Sequence, residues 1–118
     1  MKNGELRAAR GRVKRRLNPD EELFRDDVFE TIIDHLGDRF DSHDFIFEMM
    51  RRFPREYTYS LFECRRSKDP IRTLHSKIGR KILEFSDRIR KIERKSSQNV
   101  RGLPSENQHW EKVSKQQA

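Results

Sequence analysis

The side chains best suited to chemistry in this sequence recur at helical spacing between residues 70 and 85. One face of a helix over this segment is apolar, with Ile71, Leu74, Ile78, Ile82 and Phe85. The outward and flanking positions hold Arg72, Thr73, Ser76, Lys77, Arg80 and Lys81. Residues three and four apart share one side of a helix, so these basic and hydroxyl groups line up. Such a surface is suited to phosphates and to base edges.

A second basic set lies near the end of the chain. Residues 88–95 favour a strand, residues 96–108 contain Ser, Asn, Gly and Pro and favour a loop, and residues 109–113 favour a return strand. We predict a hairpin with a long basic tip that holds a phosphate backbone. The side chains assigned to that contact are Arg94, Lys95, Asn99 and Arg101. Trp110 on the return strand is expected to anchor the hairpin on the core.

No group of side chains favours catalysis. Cys64 is the single cysteine and has apolar neighbours, so we predict a buried small residue and not a nucleophile. The histidines, which lack metal-ligand spacing and a Cys-rich partner set, are His35, His43, His75 and His109. Among them His75 is expected to be packed and hydrogen-bonded. There is no glycine-rich loop of the kind that cradles phosphates, so we predict no enzyme, no metal site and no cofactor.

The charge of the chain is divided into three blocks. Residues 1–18 hold 7 Lys/Arg and 1 acid (+6), residues 19–63 hold 5 and 13 (−8), and residues 64–118 hold 15 and 6 (+9), which sum to the net charge of +7. This basic-acidic-basic pattern places the positive field on one part of the fold and favours a polyanion-binding surface. The alternative is a soluble surface that merely carries a charge dipole.

Composition predicts one domain with a small core. The chain has 118 residues, of which 32% are hydrophobic and 40% are charged. We interpret residues 1–18 as a flexible basic arm, residues 19–113 as the domain and residues 114–118 as a disordered tail. A lone cysteine excludes an internal disulfide. No apolar run approaches the roughly 20 residues that span a bilayer, so we predict no membrane contact and a cytoplasmic location, nucleoid-associated if the source is bacterial.

Helix signals divide the first half of the domain. Asn18 and Pro19 are a suitable cap and first residue for a helix over residues 19–36, which carries an acidic stripe on its outer face. A very short strand is expected at residues 39–40, and a second helix over residues 42–53 with Asp41 or Ser42 as its cap. Residues 55–66 fit either a helix or a strand, and Pro54 favours the helix.

The order of these elements resembles a winged helix-turn-helix domain over roughly residues 20–113. The resemblance depends on the topology, on the outward face of residues 70–85 and on the ending RIRKIERKSSQNVRGLPSENQHWEKV, which is similar to a wing. It implies a mainly α fold with a small C-terminal β-hairpin (α+β), three to four helices and a wing. It departs from the usual pattern because residues 54–69 intervene before the basic helix, so an extra helix or a long turn must fit there.

The resemblance implies double-stranded DNA as the partner. The helix over residues 70–85 would enter the major groove and the loop over residues 94–108 would act as the wing, as in a small transcriptional or mobile-element regulator. Gly79 is open to two interpretations, a close backbone approach to the ligand or tight packing on another helix. The alternative function is a protein-interaction module on the same scaffold, with a homodimer as one outcome. RNA binding through the basic arm ranks lower.

Overall fold

The computed structural model describes residues 22–113, an α+β domain with four α-helices and a three-stranded antiparallel sheet in that range. The helices are α1 (Asp26–His35), α2 (Ser42–Arg52), α3 (Pro54–Glu63) and α4 (Pro70–Ile82). The strands are β1 (Arg39–Asp41), β2 (Ile89–Gln98) and β3 (Pro104–Lys112). The predicted basic arm, the Asn18–Pro19 helix start and the predicted tail lie outside the described residues.

The first predicted helix is interrupted within the described residues. Residues 22–23 are helical, but Arg25 has extended φ and ψ angles and interrupts the predicted helix over residues 19–36. The Arg25 guanidinium bonds the Asp27 carboxylate, with Nη2 to Oδ2 at 2.7 Å, and Asp26 and Asp27 occupy the first turn of α1. Acidic side chains are favourable at a helix N-terminus, so a fresh start here is stabilised.

The remaining helices follow their sequence signals. Asp41 caps α2 in a capping box with Asp44, in which each side chain accepts a hydrogen bond from the other residue's backbone N–H. The ambiguous segment after Pro54 is a helix, α3, as the proline favoured. Asp69 caps α4 by accepting from the Arg72 backbone N–H at 3.2 Å. The predicted helix over residues 70–85 is confirmed as far as Ile82, after which its last turn is a 3-10 turn.

The sheet corrects one part of the prediction. Its strand order is β1-β3-β2, with Phe40 opposite Trp110, and the predicted loop over residues 96–108 is wrong. Strand β2 continues to Gln98 and β3 begins at Pro104, so the connecting turn spans only residues 99–103. Serine and asparagine favour loops through their local propensity. Here the pairing of β2 with β3 and the burial of the Asn107 side chain override that propensity.

The core lies between the helices and the sheet. Its aromatic centre is Phe29, whose ring centroid is 5.1 Å from that of Phe45 and 5.9 Å from that of Phe85. Trp110 is only 3% exposed and anchors the hairpin on this core, as the sequence predicted. Cys64 is buried, also as predicted. Among residues 22–113, no helix has the length and apolar character to cross a membrane.

Candidate functional site

An open groove of about 790 Å³ lies between the outward face of α4, the start of α2 and the inner face of the hairpin. The helix and the hairpin, which the sequence suggested as two separate contact surfaces, therefore form the two walls of one site. Five Arg/Lys residues line it, namely Arg72, Arg80, Lys91, Arg94 and Arg101. Two carboxylates, Asp69 and Glu106, also line it, so the groove is strongly positive.

The groove includes six of the ten residues predicted to contact a polyanion. These six are Arg72, Ser76, Arg80, Arg94, Asn99 and Arg101. Arg94 projects from strand β2, within the predicted strand over residues 88–95, and not from the turn of the hairpin. Asn99 uses its side-chain oxygen within the hairpin turn, where Oδ1 accepts from the backbone N–H groups of Arg101 and Leu103. Its role there is to shape the turn.

The other four predicted residues lie outside the groove. The Thr73 hydroxyl is hydrogen-bonded to the Ser67 hydroxyl just before α4. Lys81 turns toward α1, with Nζ 2.6 Å from Asp26 Oδ1 and 3.1 Å from Glu84 Oε1. Lys95 pairs with Glu93 at 3.0 Å on the exposed side of the hairpin, and Lys77 is partly buried beside the groove. The usable surface is thus narrower than the helical pattern indicated.

The groove concentrates positive charge that the domain itself does not neutralise. Within residues 22–113 the side chains of Arg72, Arg80 and Lys91 have no carboxylate partner. Arg94 is 3.8 Å from Glu106 in an exposed pair, a contact that contributes little. Elsewhere in this half some basic side chains are paired, for example Arg88 with Asp34 and Arg90 with Glu111. Cations without a carboxylate partner among the described residues, such as Arg66 and Lys68, also lie outside the groove. The groove differs in that it brings Arg72, Arg80 and Lys91 together around one space.

His75 forms part of the helical wall as a neutral side chain. Burial lowers the pKa of its ring to about 4, and the positive charges of the groove act in the same direction. A neutral imidazole has one bare nitrogen, and the Tyr57 hydroxyl lies 2.7 Å from Nε2. This matches the prediction of a packed, hydrogen-bonded histidine. Burial also raises the pKa of the Tyr57 hydroxyl, so that the pair is uncharged at neutral pH.

A buried polar network fixes the hairpin wall against α2. Asn107 is buried on β3; its Oδ1 accepts from the His43 backbone N–H at 3.2 Å, and its Nδ2 donates to the Lys95 carbonyl at 3.0 Å. The Ser97 hydroxyl joins the same network, 2.7 Å from His43 Nδ1 and 3.0 Å from Asn107 Nδ2. Buried polar groups that are satisfied in this way hold a unique geometry. The groove width therefore depends on these side chains.

Gly79 lies in the groove wall between Ser76 and Arg80. A Cβ atom placed at this position would have no neighbour within 4 Å. The interpretation of tight helix packing is therefore wrong, and the glycine leaves open space on the side of α4 that faces the groove.

Among the groove residues that the sequence did not predict, two lie on the hairpin wall and bear on its geometry. Lys91 lies on β2 within the predicted strand over residues 88–95, and Asn107 lies on β3 within the predicted loop over residues 96–108. In a regular strand, Lys91 and Arg94 would point to opposite faces, because side chains alternate. The bulge between Lys91 and Glu93 breaks this alternation and brings both side chains to the hairpin wall. Asn107 has no local signal, because its partners come from α2 and from the opposite strand.

The surface outside the groove has a different character. Helix α1 exposes Asp26, Asp27, Glu30 and Asp34, so its acidic stripe lies apart from the groove. The Arg88 guanidinium holds the pKa of the Asp34 carboxyl below its usual range. Helix α3 exposes half of Tyr59 (50%) and of Phe62 (55%), and the Arg65 guanidinium stacks 4.2 Å above the Phe62 ring.

Comparisons of the chain with protein-family models, with curated proteins and with solved structures gave no match. Among residues 22–113, no group of three or more His, Cys, Asp or Glu side chains is arranged to hold a metal ion. The chemistry of the groove is accordingly that of its cations, amides and hydroxyls. It can hold an anion with several charges and can offer donors and acceptors to neutral groups beside them.

Proposed function

We propose that this protein is a winged helix-turn-helix module that binds double-stranded DNA through the groove between α4 and the hairpin. The observation that carries the proposal is the set of cations without carboxylate partners on both groove walls, Arg72 and Arg80 on α4 and Lys91 on β2. Unneutralised cations facing one another repel, and a polyanion removes that repulsion by occupying the space between them.

The order of elements also supports the proposal. The sequence α1, β1, α2, α4, β2, β3, with β3 between β1 and β2, is the order expected of a winged helix, with α3 as an insertion before α4. In that arrangement α4 would approach base edges and the hairpin would act as the wing on the backbone. Ser76 would contribute a short polar contact on the helix. Arg80 and Arg94 would bind phosphates on the two sides.

The test is duplex binding, measured by fluorescence anisotropy across a salt series. The double variant Arg80→Ala/Arg94→Ala removes one cation from each wall, and its affinity should fall at least about tenfold at low salt. Its log–log salt slope should become shallower by about 1.8, since each lost phosphate contact contributes about 0.9.

The matched control for that experiment removes the same charge from another surface. Arg39→Ala/Arg51→Ala lies at a smaller groove between β1 and α2, away from the proposed site. It should leave the salt slope nearly unchanged. Equal effects of the two double variants would show that net charge and not the groove governs binding, and would overturn the proposal.

A protein-interaction module is the second candidate function, and one surface favours it. The exposed rings of Tyr59 and Phe62 lie three residues apart on α3, with Arg55 one turn before Tyr59. Aromatic and arginine side chains are enriched at protein interfaces. Sedimentation in low and high salt discriminates the two functions. A salt-sensitive oligomer that is abolished by Tyr59→Ser/Phe62→Ser, without duplex affinity, would favour the protein-interaction function.

A further inference from the structure

The turn of the hairpin is tied to the beginning of α4 by one ion pair. Nη2 of Arg101 lies 2.7 Å from Oδ1 of Asp69, and the same oxygen accepts the backbone N–H of Arg72 at 3.2 Å. Asp69 therefore has two functions at once, as the cap of α4 and as the partner of a groove cation. Arg101, followed by the Arg72 backbone, holds the pKa of the Asp69 carboxyl below its usual range.

The backbone of the turn delivers Arg101 to this position. The Asn99 N–H donates to the Leu103 carbonyl at 2.8 Å and the Gly102 N–H donates to the Asn99 carbonyl at 2.9 Å. Gly102 has a φ of 78°, a left-handed conformation that glycine adopts without steric cost. Gln98 adds a side-chain bond to the Gly102 carbonyl at 3.0 Å. The contact is thus made by an ordered turn.

Capping alone does not account for the negative charge of Asp69. Asparagine and serine cap helices as well as aspartate does, and neither would place a carboxylate in a groove for polyanions. Glu106, the other carboxylate of the groove, has only a 3.8 Å contact with Arg94. The close, charge-assisted bond to Arg101 distinguishes Asp69, and its geometry is the one a phosphate oxygen takes on an arginine.

We propose that the Asp69 carboxylate occupies the place of a ligand phosphate on Arg101, and that a bound polyanion displaces it. This inference depends on the proposed function. A single phosphate exchanges one ion pair for another and gains little. A nucleic-acid strand that also reaches Arg72, Arg80 and Lys91 gains further contacts, so the pair restricts the groove to ligands with several successive phosphates.

The first test is the variant Asp69→Asn, which keeps the cap and the size of the side chain and removes its charge. Its duplex affinity should rise about three- to tenfold with an unchanged salt slope, because the number of phosphate contacts is the same but no ion pair has to be broken. Glu106→Gln removes an equal charge from the same groove and should raise the affinity less. Asp69→Ser repeats the test with another capping residue, and thermal unfolding checks that each variant is folded.

A double-mutant cycle isolates the pair from general electrostatics. In an Arg101→Ala background, Asp69→Asn should give little further gain, since the cation that it would release is gone. If the gain were the same with and without Arg101, the inference would be overturned while the proposed function would stand. If the wild-type protein failed to bind duplex across the salt series, the proposed function and this inference would both be overturned.

A second measurement does not depend on affinity. The titration of the Asp69 carboxyl, followed by carbon NMR, should give a lowered pKa in the free protein and a higher pKa when duplex saturates the groove. The rise is expected because Arg101 moves to a phosphate and the phosphate then repels the carboxylate. A pKa that stays lowered in the saturated complex would mean that the ion pair persists, and would overturn the displacement.

Discussion

The Tyr57 hydroxyl lies 2.7 Å from Nε2 of His75, so that helix α3 is hydrogen-bonded to the wall of the groove on α4. The two rings are also in contact, with centroids 5.9 Å apart. This pair joins α3 to the helix that carries the candidate site. Because His75 is neutral in the folded protein at neutral pH, the free energy of unfolding should depend on pH in the acidic range.

The first prediction concerns that acid dependence. The pKa of His75 is about 4 in the folded protein and about 6.5 when unfolded, so between these values the unfolded chain binds more protons. The free energy of unfolding should therefore fall as the pH is lowered from 6.5 to 4, by on the order of 2 kcal/mol after solvent screening. Urea unfolding at a series of pH values measures this.

Two variants assign the slope to His75. His75→Gln removes the titrating group and should flatten the dependence in this pH window. Tyr57→Phe should lower stability at every pH but keep most of the slope, because burial is the larger cause of the depressed pKa. A slope that survives His75→Gln unchanged would assign the effect to groups other than His75. Asp34 and Glu48 have lowered pKa values, so their contributions fall mainly below this pH window.

The second prediction concerns Gly79 in the groove wall. Gly79→Ala adds a Cβ into open space and replaces the weaker helix former, so the free energy of unfolding should rise by about 0.5–1 kcal/mol. Gly79→Gln should be folded as well, but its longer side chain fills the ligand side of α4 and should lower duplex affinity. Thermal unfolding and anisotropy measure the two effects. Normal binding by Gly79→Gln would mean that the ligand stays out of the groove.

The third prediction contrasts two adjacent cations on α4. Arg80 lines the groove, whereas Lys81 is bonded to Asp26 of α1 and to Glu84. Arg80→Ala should weaken duplex binding with little change in stability. Lys81→Ala should lower stability by about 0.5–1 kcal/mol, as for a partly exposed ion pair, and leave the affinity nearly unchanged. A loss of affinity in Lys81→Ala with normal binding by Arg80→Ala would show that the groove face of α4 does not contact the duplex.

The fourth prediction concerns the network that holds the hairpin. Asn107→Ala leaves the buried His43 N–H and the Lys95 carbonyl without their side-chain partner, which should cost about 2–3 kcal/mol of unfolding free energy. Gln108→Ala, on a partly exposed neighbour, should cost less than about 1 kcal/mol. Chemical denaturation gives both values. Amide exchange should show faster opening of β2 and β3 in Asn107→Ala. Equal losses of unfolding free energy in the two variants would contradict the role of Asn107 in holding the hairpin.

Much of the helical architecture could be predicted from the sequence because its causes are local. Proline at the first position of α3 and α4, the caps Asp41 and Asp69, and the spacing of apolar residues act within one or two turns of the chain. The exposed basic face of residues 70–80 followed from the same periodicity. The interruption of the first predicted helix at Arg25 was not predicted, because no proline or glycine marks that position.

The sequence by itself determined the type of most elements, the burial of Trp110 and Cys64 and the basic character of the C-terminal half. Only the tertiary structure decided the length of the hairpin and which cations remain unpaired. The ion pairs of Lys81 with Asp26 and of Arg101 with Asp69 join residues 55 and 32 positions apart, and Asn107 bonds across 64 positions to His43. Such contacts depend on the packing of distant elements, and no periodicity or cap encodes them locally.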